Sequence, residues 1–144
     1  MTKIFSTCLA AGLRPLVAAL GILFVLAVPA IAAGSQPLVS PAWLNSHLHD
    51  ANLVVLDIRS AIDGSKPEAF AQGHIPGSVH SDYDKAGWRV TRNNVPFMVP
   101  TTPELEKLIG ELGIDETTHV IVVPAGVSLL DFGSAARTYW TLKY

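Results

Sequence analysis

The chain has 144 residues, of which 49% are hydrophobic and 15% charged, and its formal net charge is −2. That length suits one small domain, and a mildly acidic chain without a basic run lacks the electrostatic footprint of a nucleic-acid-binding protein. Cys8 is the only cysteine, so no disulfide can form within the chain.

Residues 1–32 have the pattern of a secretion signal. Lys3 and Arg14 give a positive start, and the stretch from Pro15 to Ala30 is apolar and uncharged. Ala30-Ile31-Ala32 is a small-x-small cleavage site. We therefore expect cleavage after Ala32 and a periplasmic or secreted protein.

The rest of the chain divides into a linker over residues 33–37 and a domain over residues 38–144. If the signal is removed, we expect no stable membrane insertion. The alternative is an uncleaved signal that anchors the protein, because the apolar stretch approaches the shortest span of a bilayer.

The first half of the domain alternates helix and strand signals. Ser40 followed by Pro41 is typical of a helix start. The run Leu53 to Leu56 is continuous and rich in valine, which indicates a strand buried on both faces. Shorter elements are also predicted: a brief strand over Leu38-Val39, a loop over 60–67, at most a short helix over 68–72 and a short strand over 78–80.

The second half continues the alternation. Residues 81–100 hold Trp88, Phe97 and Met98 among turn residues and predict a long ordered loop packed by its aromatic side chains. Thr101 or Thr102 then caps a helix that ends at Gly113. The remaining elements are a buried strand over 119–123, a loop over 124–133 and a last helix over 135–144, capped by Ser134. This order predicts an α/β domain with a parallel sheet flanked by helices.

The loop after the last strand is the main candidate site. In open α/β sheets the carboxyl ends of strands face the ligand crevice, and a helix N-terminus there offers free N–H groups and partial positive charge. A cysteine in such a loop would have a lowered pKa and could hold sulfur as a persulfide. The loop contains no thiol. The candidate anion cradle consists of Gly126, Val127, Ser128, Gly133, Ser134 and Arg137.

These motifs resemble the rhodanese-type sulfurtransferases and, more narrowly, the first domain of the two-domain thiosulfate and mercaptopyruvate enzymes. The matching segments are Leu56-Asp57-Ile58-Arg59, Gly73-His74-Ile75-Pro76-Gly77, Thr102-Pro103-Glu104 through Gly113-Ile114, and Ser134-Ala135-Ala136-Arg137. The resemblance implies a five-stranded parallel sheet, of which this chain would lack the last strand after Tyr144. In that family the first domain commonly lacks the active cysteine, and here Pro124 or Ala125 stands in its place.

Two motifs admit both a structural and a chemical interpretation. Asp57 and Arg59 end a strand and could line a crevice, but we favour an ion pair that holds the following loop. His74 could act as a general base, but we favour a ring that bonds to nearby backbone and holds the turn. We therefore expect structural roles for the whole motif, which consists of Asp57, Arg59, Gly73, His74, Pro76 and Gly77, and for Asp57 and Arg59 the resemblance implies the same.

Two weaker patterns also contain residue types that could carry chemistry. Ser128 lies in a near miss to a nucleophile elbow, because Leu130 stands where glycine is needed. A hydrolase triad with His74 and Asp57 or Asp131 can be drawn, although nothing in the sequence brings these residues together. The run from His47 to Asp50 has metal-ligand residue types, but positions two apart do not share a helix face. We predict no metal and no cofactor.

The resemblance implies a function for the longer protein. We expect an exported sulfurtransferase that moves sulfane sulfur from thiosulfate or mercaptopyruvate to cyanide or a thiol, with this chain as its non-catalytic first half. Its expected partners are a second rhodanese domain downstream and small sulfur-containing anions. The alternative is a rhodanese-like module without cysteine that binds an anion or a partner protein.

Overall fold

The computed structural model describes residues 37–144, which alternate helices and strands. In chain order the elements are α1 (Pro41–His47), β1 (Leu53–Asp57), a 3-10 turn (Ala61–Asp63), α2 (Ala69–Gln72), β2 (Val79–His80), β3 (Val90–Arg92), β4 (Val95–Met98), α3 (Thr102–Glu111), β5 (His119–Val123) and α4 (Leu129–Lys143). None of these helices is long and apolar enough to span a bilayer.

A parallel sheet with the strand order β2-β1-β5 organises the domain, so the predicted α/β class is confirmed. In the central strand β1, Leu56 pairs with Val79 on one side and with Val122 on the other. Leu56 is fully buried, as expected for a strand covered on both faces. The core around it contains Leu56, Ile58, Tyr83, Trp88 and Ile114.

Two predicted helix starts are confirmed. Ser40 caps α1, because its hydroxyl accepts a hydrogen bond from the Trp43 N–H at 3.1 Å. Thr101 caps α3 in a capping box with Glu104, whose carboxylate accepts from the Thr101 N–H at 2.6 Å. The Ser40 hydroxyl and the Glu104 carboxylate thus accept from N–H groups at the helix starts, which have no partner within the helix.

The segment from 81 to 100 differs from the predicted irregular loop. It contains an antiparallel hairpin of β3 and β4, joined at Asn93 and Asn94. Both asparagines have positive φ, 52° and 63°, the combination that a two-residue hairpin turn requires and that asparagine tolerates. Trp88 is buried as predicted, but Phe97 and Met98 are exposed. The predicted strand at Leu38-Val39 is absent from the described residues.

The start of α4 was predicted wrongly. The helix begins at Leu129, and Ser128 rather than Ser134 is its N-cap. The Ser128 hydroxyl accepts from the Leu130 N–H at 3.2 Å, and Asp131 completes a capping box. Ser134 lies inside the helix, where its hydroxyl is buried.

Most of the pattern of an ordinary surface helix is reversed in α4, although Ala135 and Leu142 pack against the core. Its inward face buries Asp131, Ser134, Thr138 and Thr141. Large apolar and aromatic side chains lie outside, and Leu129 is 91% exposed. The other exposed large hydrophobic side chains are Leu130, Phe132, Tyr139 and Trp140 on the helix and Tyr144 directly after it. A surface helix of a soluble protein normally does the opposite, so we treat this outer face of α4 as a candidate contact surface.

Candidate functional site

A cleft of about 450 Å³ opens where strands β1 and β5 end. The strand ends contribute Asp57 and Val123, and the loops that follow them contribute Arg59, Pro124 and Ala125. The segment from Gly73 to Pro76 closes another side. The cleft therefore lies at the carboxyl edge of a parallel sheet, the usual position of ligand sites in open α/β folds.

Asp57 and Arg59 form an ion pair that lines the cleft. The Arg59 guanidinium places Nε at 2.9 Å and Nη2 at 2.7 Å from Asp57 Oδ2. Its Nη2 also donates to the Gly73 carbonyl at 2.8 Å. Hydrogen bonding to Asp57 raises the pKa of Arg59, burial opposes that rise, and the charge of Asp57 adds to it. The pair therefore ties the end of β1 to the loop at Gly73.

His74 and His80 lie on either side of Phe70. The ring centroids of Phe70 and His74 are 4.2 Å apart, and those of Phe70 and His80 are 4.7 Å apart, with nearly parallel planes. His74 Nδ1 donates to the Phe70 carbonyl at 2.9 Å, and His80 Nε2 donates to the Arg59 carbonyl at 3.0 Å. Both rings are held by backbone acceptors rather than by acidic partners.

The turn after His74 has a simple backbone explanation. The Ser78 N–H donates to the Ile75 carbonyl at 3.0 Å, with Pro76 and Gly77 at the two central positions. Gly77 has φ of +78°, which a side chain would strain. Proline followed by glycine at positive φ is the pattern of a type II turn, so these residues shape one wall of the cleft.

The loop that follows β5 presents no nucleophile to the cleft. Pro124 and Ala125 line it, and neither side chain has a polar atom. The next N–H groups bind a carboxylate of the same chain: Val127 N–H donates to Asp131 Oδ2 at 2.7 Å, and Ser128 N–H donates to Asp131 Oδ1 at 3.1 Å. The Asp131 carboxylate thus occupies backbone N–H groups that the predicted cradle would offer to a bound anion.

Asp131 is suited to this position as an ionised group. It is 1% exposed, and burial by itself raises its pKa. Backbone N–H groups of Val127, Ser128, Phe132 and Gly126 oppose that effect, and the pKa of Asp131 is lowered from its ordinary value. Hydrogen bonds to the charged form of a carboxyl group favour that form, so the loop is built around a negative charge.

The structure does not bring the predicted cradle residues to one point. Gly133, Ser134 and Arg137 lie within α4 rather than at its start. The Ser134 hydroxyl donates to the buried carboxylate of Asp63 at 2.8 Å. The Ser60 hydroxyl donates to the other Asp63 oxygen at 2.9 Å. Ser134 therefore fastens α4 to the 3-10 turn.

Two buried carboxylates, Asp131 and Asp63, were missed as organising groups. For Asp131 the signal was present, because Ser128-Leu129-Leu130-Asp131 matches the spacing of a capping box. For Asp63 the contact with Ser60 is local, but the contact that ties it to α4 joins it to Ser134, 71 positions away, and has no local signal.

The weaker patterns find other roles. The hydrogen bonds of Ser128 and Asp131 are to backbone groups around the helix start, and neither side chain bonds to a histidine within residues 37–144. His47 stacks on Trp43 at 3.9 Å and donates to the Trp43 carbonyl at 2.7 Å. Across the described part of the chain, no cluster of three or more His, Cys, Asp or Glu is placed to hold a metal ion.

The class of protein follows from the fold, the turn and the cleft. A family model described as Rhodanese-like domain matches residues 40–138, and the chain belongs to this family. The match covers every element from the start of α1 to most of α4.

Curated relatives with sulfurtransferase names match most of the chain. The 3-mercaptopyruvate sulfurtransferase of Escherichia coli (strain K12) is 30% identical over 73% of this chain and 37% of its own length. Thiosulfate/3-mercaptopyruvate sulfurtransferase 2 of Arabidopsis thaliana is 32% identical over 76% of this chain and 31% of its own length. The thiosulfate sulfurtransferase of Pseudomonas aeruginosa is 31% identical over 72% of this chain and 34% of its own length. The chain thus spans about a third of the length of these relatives.

Proposed function

We propose that this chain is the non-catalytic first domain of an exported sulfurtransferase of the thiosulfate and mercaptopyruvate type. The observation that carries the proposal is the composition of the loop after β5. Pro124 and Ala125 stand in the cleft at the strand end, where the chemistry needs a thiolate. This domain would support the fold and form one wall of the active-site cleft, and a second rhodanese domain downstream would supply the cysteine.

The chemistry of sulfur transfer requires a thiolate, which the loop after β5 does not contain. A cysteine thiolate attacks the outer sulfur of thiosulfate, sulfite leaves, and the cysteine becomes a persulfide. Cyanide or a thiol then takes the outer sulfur and releases the thiolate. The side chains of Pro124 and Ala125 offer no atom for the first bond, and Cys8 lies in the predicted signal.

The outer face of α4 supports the proposed partner domain. The exposed Leu129, Phe132 and Trp140 side chains would lose contact with water if another folded unit covered the helix. The relatives are about three times as long as the matched region, which leaves room for such a unit. Strand β5 is also an edge of the sheet among the described residues, and we propose that chain beyond Tyr144 pairs with it.

The experiment compares two proteins in the conversion of thiosulfate and cyanide to thiocyanate. One is the chain ending at Tyr144, and the other is the full coding sequence read past that point. We expect turnover only from the longer protein, and loss of turnover when its downstream loop cysteine is replaced by serine. Thiocyanate formed by the shorter chain would overturn the assignment, as would a longer sequence without a second Gly-His-x-Pro-Gly segment and cysteine-bearing loop.

Export is a separate part of the proposal. It rests on the apolar stretch after Arg14 and on the Ala30-Ile31-Ala32 site. Expression in a bacterium that secretes proteins, followed by cell fractionation and N-terminal sequencing, tests it. We expect periplasmic protein that begins at Ala33. Full-length protein in the membrane fraction would favour the anchor, and uncleaved protein in the cytoplasm would refute export.

The second candidate is a binding module that acts without chemistry. The outer face of α4 favours this function with a protein partner, while Asp131 in the loop amides argues against an anion as the ligand. Titration with thiosulfate or sulfate, followed by tryptophan fluorescence, distinguishes a module that binds an anion from one that binds a protein. Saturable binding without turnover in the full-length protein would favour the anion-binding module over the sulfurtransferase.

A further inference from the structure

Four residues on the outer face of α4 form one stripe along the helix. Leu129, Gly133, Ala136 and Trp140 follow each other at intervals of three or four residues, the spacing that places residues one above another on a helix face. The stripe lies opposite the buried face, whose centre is Thr138. Its two ends are large and exposed, and its centre consists of the two small residues. We call this set of four residues the α4 stripe.

Gly133 has no structural explanation within the described part of the chain. Its φ lies outside the left-handed region, and a Cβ atom built on it would meet no atom within 4 Å apart from its chain neighbours and the backbone of its own helix. Glycine in a helix interior is less stable than alanine, and it serves where another unit must approach the backbone closely. None of residues 37–144 makes that approach, so it is left to a unit outside them.

The shape of the α4 stripe fits one crossing helix. Eleven positions separate Leu129 from Trp140, which corresponds to about 16 Å along a helix axis. A helix with its side chains is about 10–12 Å across, so a single helix fits between these two large side chains. Gly133 and Ala136 would then lie beneath it, and small residues at a crossing point let two helix axes come close together.

The charges on α4 indicate the chemistry of the partner helix. Arg137 and Lys143 are exposed, and the only acidic residue of α4, Asp131, is buried with its carboxylate on the loop N–H groups. The outer face of α4 therefore combines apolar surface with positive charge and carries no exposed acidic side chain. A complementary helix has an apolar centre with acidic residues along its border.

We propose that an amphipathic helix of the downstream domain crosses α4 over Gly133 and Ala136, with its acidic border facing Arg137 and Lys143. This inference rests on the proposed function, in which a second domain follows Tyr144. The matched relatives are about three times as long as the region that they share with this chain. A domain attached directly after α4 is held close to the α4 stripe, and such a tether raises its effective concentration there.

Replacement of Gly133 by glutamine tests the proposal in two proteins, the chain ending at Tyr144 and the longer coding sequence. In the shorter chain the new side chain meets open space, and glutamine favours a helix over glycine. We therefore expect Tm to stay unchanged or to rise by a few degrees. In the longer protein the same side chain stands where the partner helix crosses, so we expect Tm to fall by about 3 °C or more.

Gly110→Gln is the matched control. Gly110 is also a helical glycine with open space around a built Cβ atom, but it lies in the last turn of α3 beside the exposed Glu106 and Lys107. Its replacement should change Tm in the same direction in the shorter and the longer protein. The proposal is overturned if Gly133→Gln likewise has the same effect in both.

Turnover and sedimentation of the longer protein show which proposal fails. Thiocyanate formation together with equal effects of Gly133→Gln in both proteins keeps the proposed function and overturns the helix contact. Loss of stability only in the longer protein, without any turnover, supports the contact and overturns the sulfurtransferase. A dimer of the longer protein that dissociates with Gly133→Gln overturns the downstream helix as the occupant, because the α4 stripe then binds a second copy.

Discussion

Replacing Asp57 by asparagine removes the charge that holds Arg59 while keeping the shape of the side chain. Asp57 accepts from the Arg59 backbone N–H at 3.1 Å, from Nε at 2.9 Å and from Nη2 at 2.7 Å. The asparagine amide retains one acceptor oxygen and turns an N–H₂ group towards the guanidinium. Asp57 is buried, so water cannot take over the lost contacts.

The expected loss of stability follows from the burial of the two partners. Breaking a buried ion pair costs about 3–5 kcal/mol. The Arg59 side chain is 20% exposed, so partial hydration lowers the expected loss to about 2–3 kcal/mol. For a domain of this size that corresponds to a fall in Tm of about 10 °C or more.

Urea unfolding, followed by tryptophan fluorescence, measures the difference in the free energy of unfolding, because the buried Trp88 becomes exposed to water on unfolding. Lys107→Gln is the matched control, because Lys107 and Glu111 form an exposed pair at 3.8 Å, and its loss should stay below about 0.5 kcal/mol. Hydrogen exchange should also become faster around Gly73, whose carbonyl accepts from Arg59. A loss for Asp57→Asn as small as that of the control would refute the reasoning.

Three further predictions concern α4 and the loop before it. The pKa of Asp131 is lowered, so its contribution to stability is present above the ordinary value of 3.8 and is lost as the pH falls through the lower folded-state value. Asp131→Asn should therefore lower Tm at neutral pH and make Tm fall less steeply at acid pH. An unchanged dependence of Tm on pH would contradict this. In a Cys8→Ser background, the thiol introduced by Ala125→Cys should keep a pKa of about 8.5, because Asp131 already occupies the neighbouring N–H groups. Only Ala125→Cys combined with Asp131→Asn should lower that pKa. The pH dependence of alkylation measures it, and a low pKa for Ala125→Cys alone would count against the occupied N–H groups. Because the outer face of α4 is exposed and apolar, we expect the chain ending at Tyr144 to self-associate in analytical ultracentrifugation. Phe132→Ser should reduce that association while changing stability by less than about 0.5 kcal/mol, whereas a large loss of stability would show that Phe132 packs within the domain.

Several parts of the site were readable from local sequence. Proline followed by glycine after His74 predicted the turn, because only glycine tolerates φ of +78° at that position without strain. The valine-rich runs predicted β1 and β5, since strands buried on both faces lack polar alternation. The sequence alone also shows that Pro124 and Ala125 cannot carry sulfur as a persulfide, because neither side chain has a sulfur atom.

The start of α4 shows where local reasoning failed. Gly133 followed by Ser134 has the pattern of a break and a new cap. A glycine inside a helix costs only about 1 kcal/mol, and here the capping box at Ser128 and the contact of Ser134 with Asp63 offset that cost. The second of these contacts joins distant parts of the chain and is invisible in a local window.

By itself, the sequence determined the α/β class, the family, the turn after His74 and the lack of a thiol in the loop after β5. These properties depend on residue types and spacings within short segments. Only the tertiary structure decided that Asp131 occupies the loop amides, that α4 buries polar side chains and exposes aromatic ones, and that Ser134 contacts Asp63. Each of these depends on which surfaces meet after folding, and that is set by packing between segments far apart in the chain.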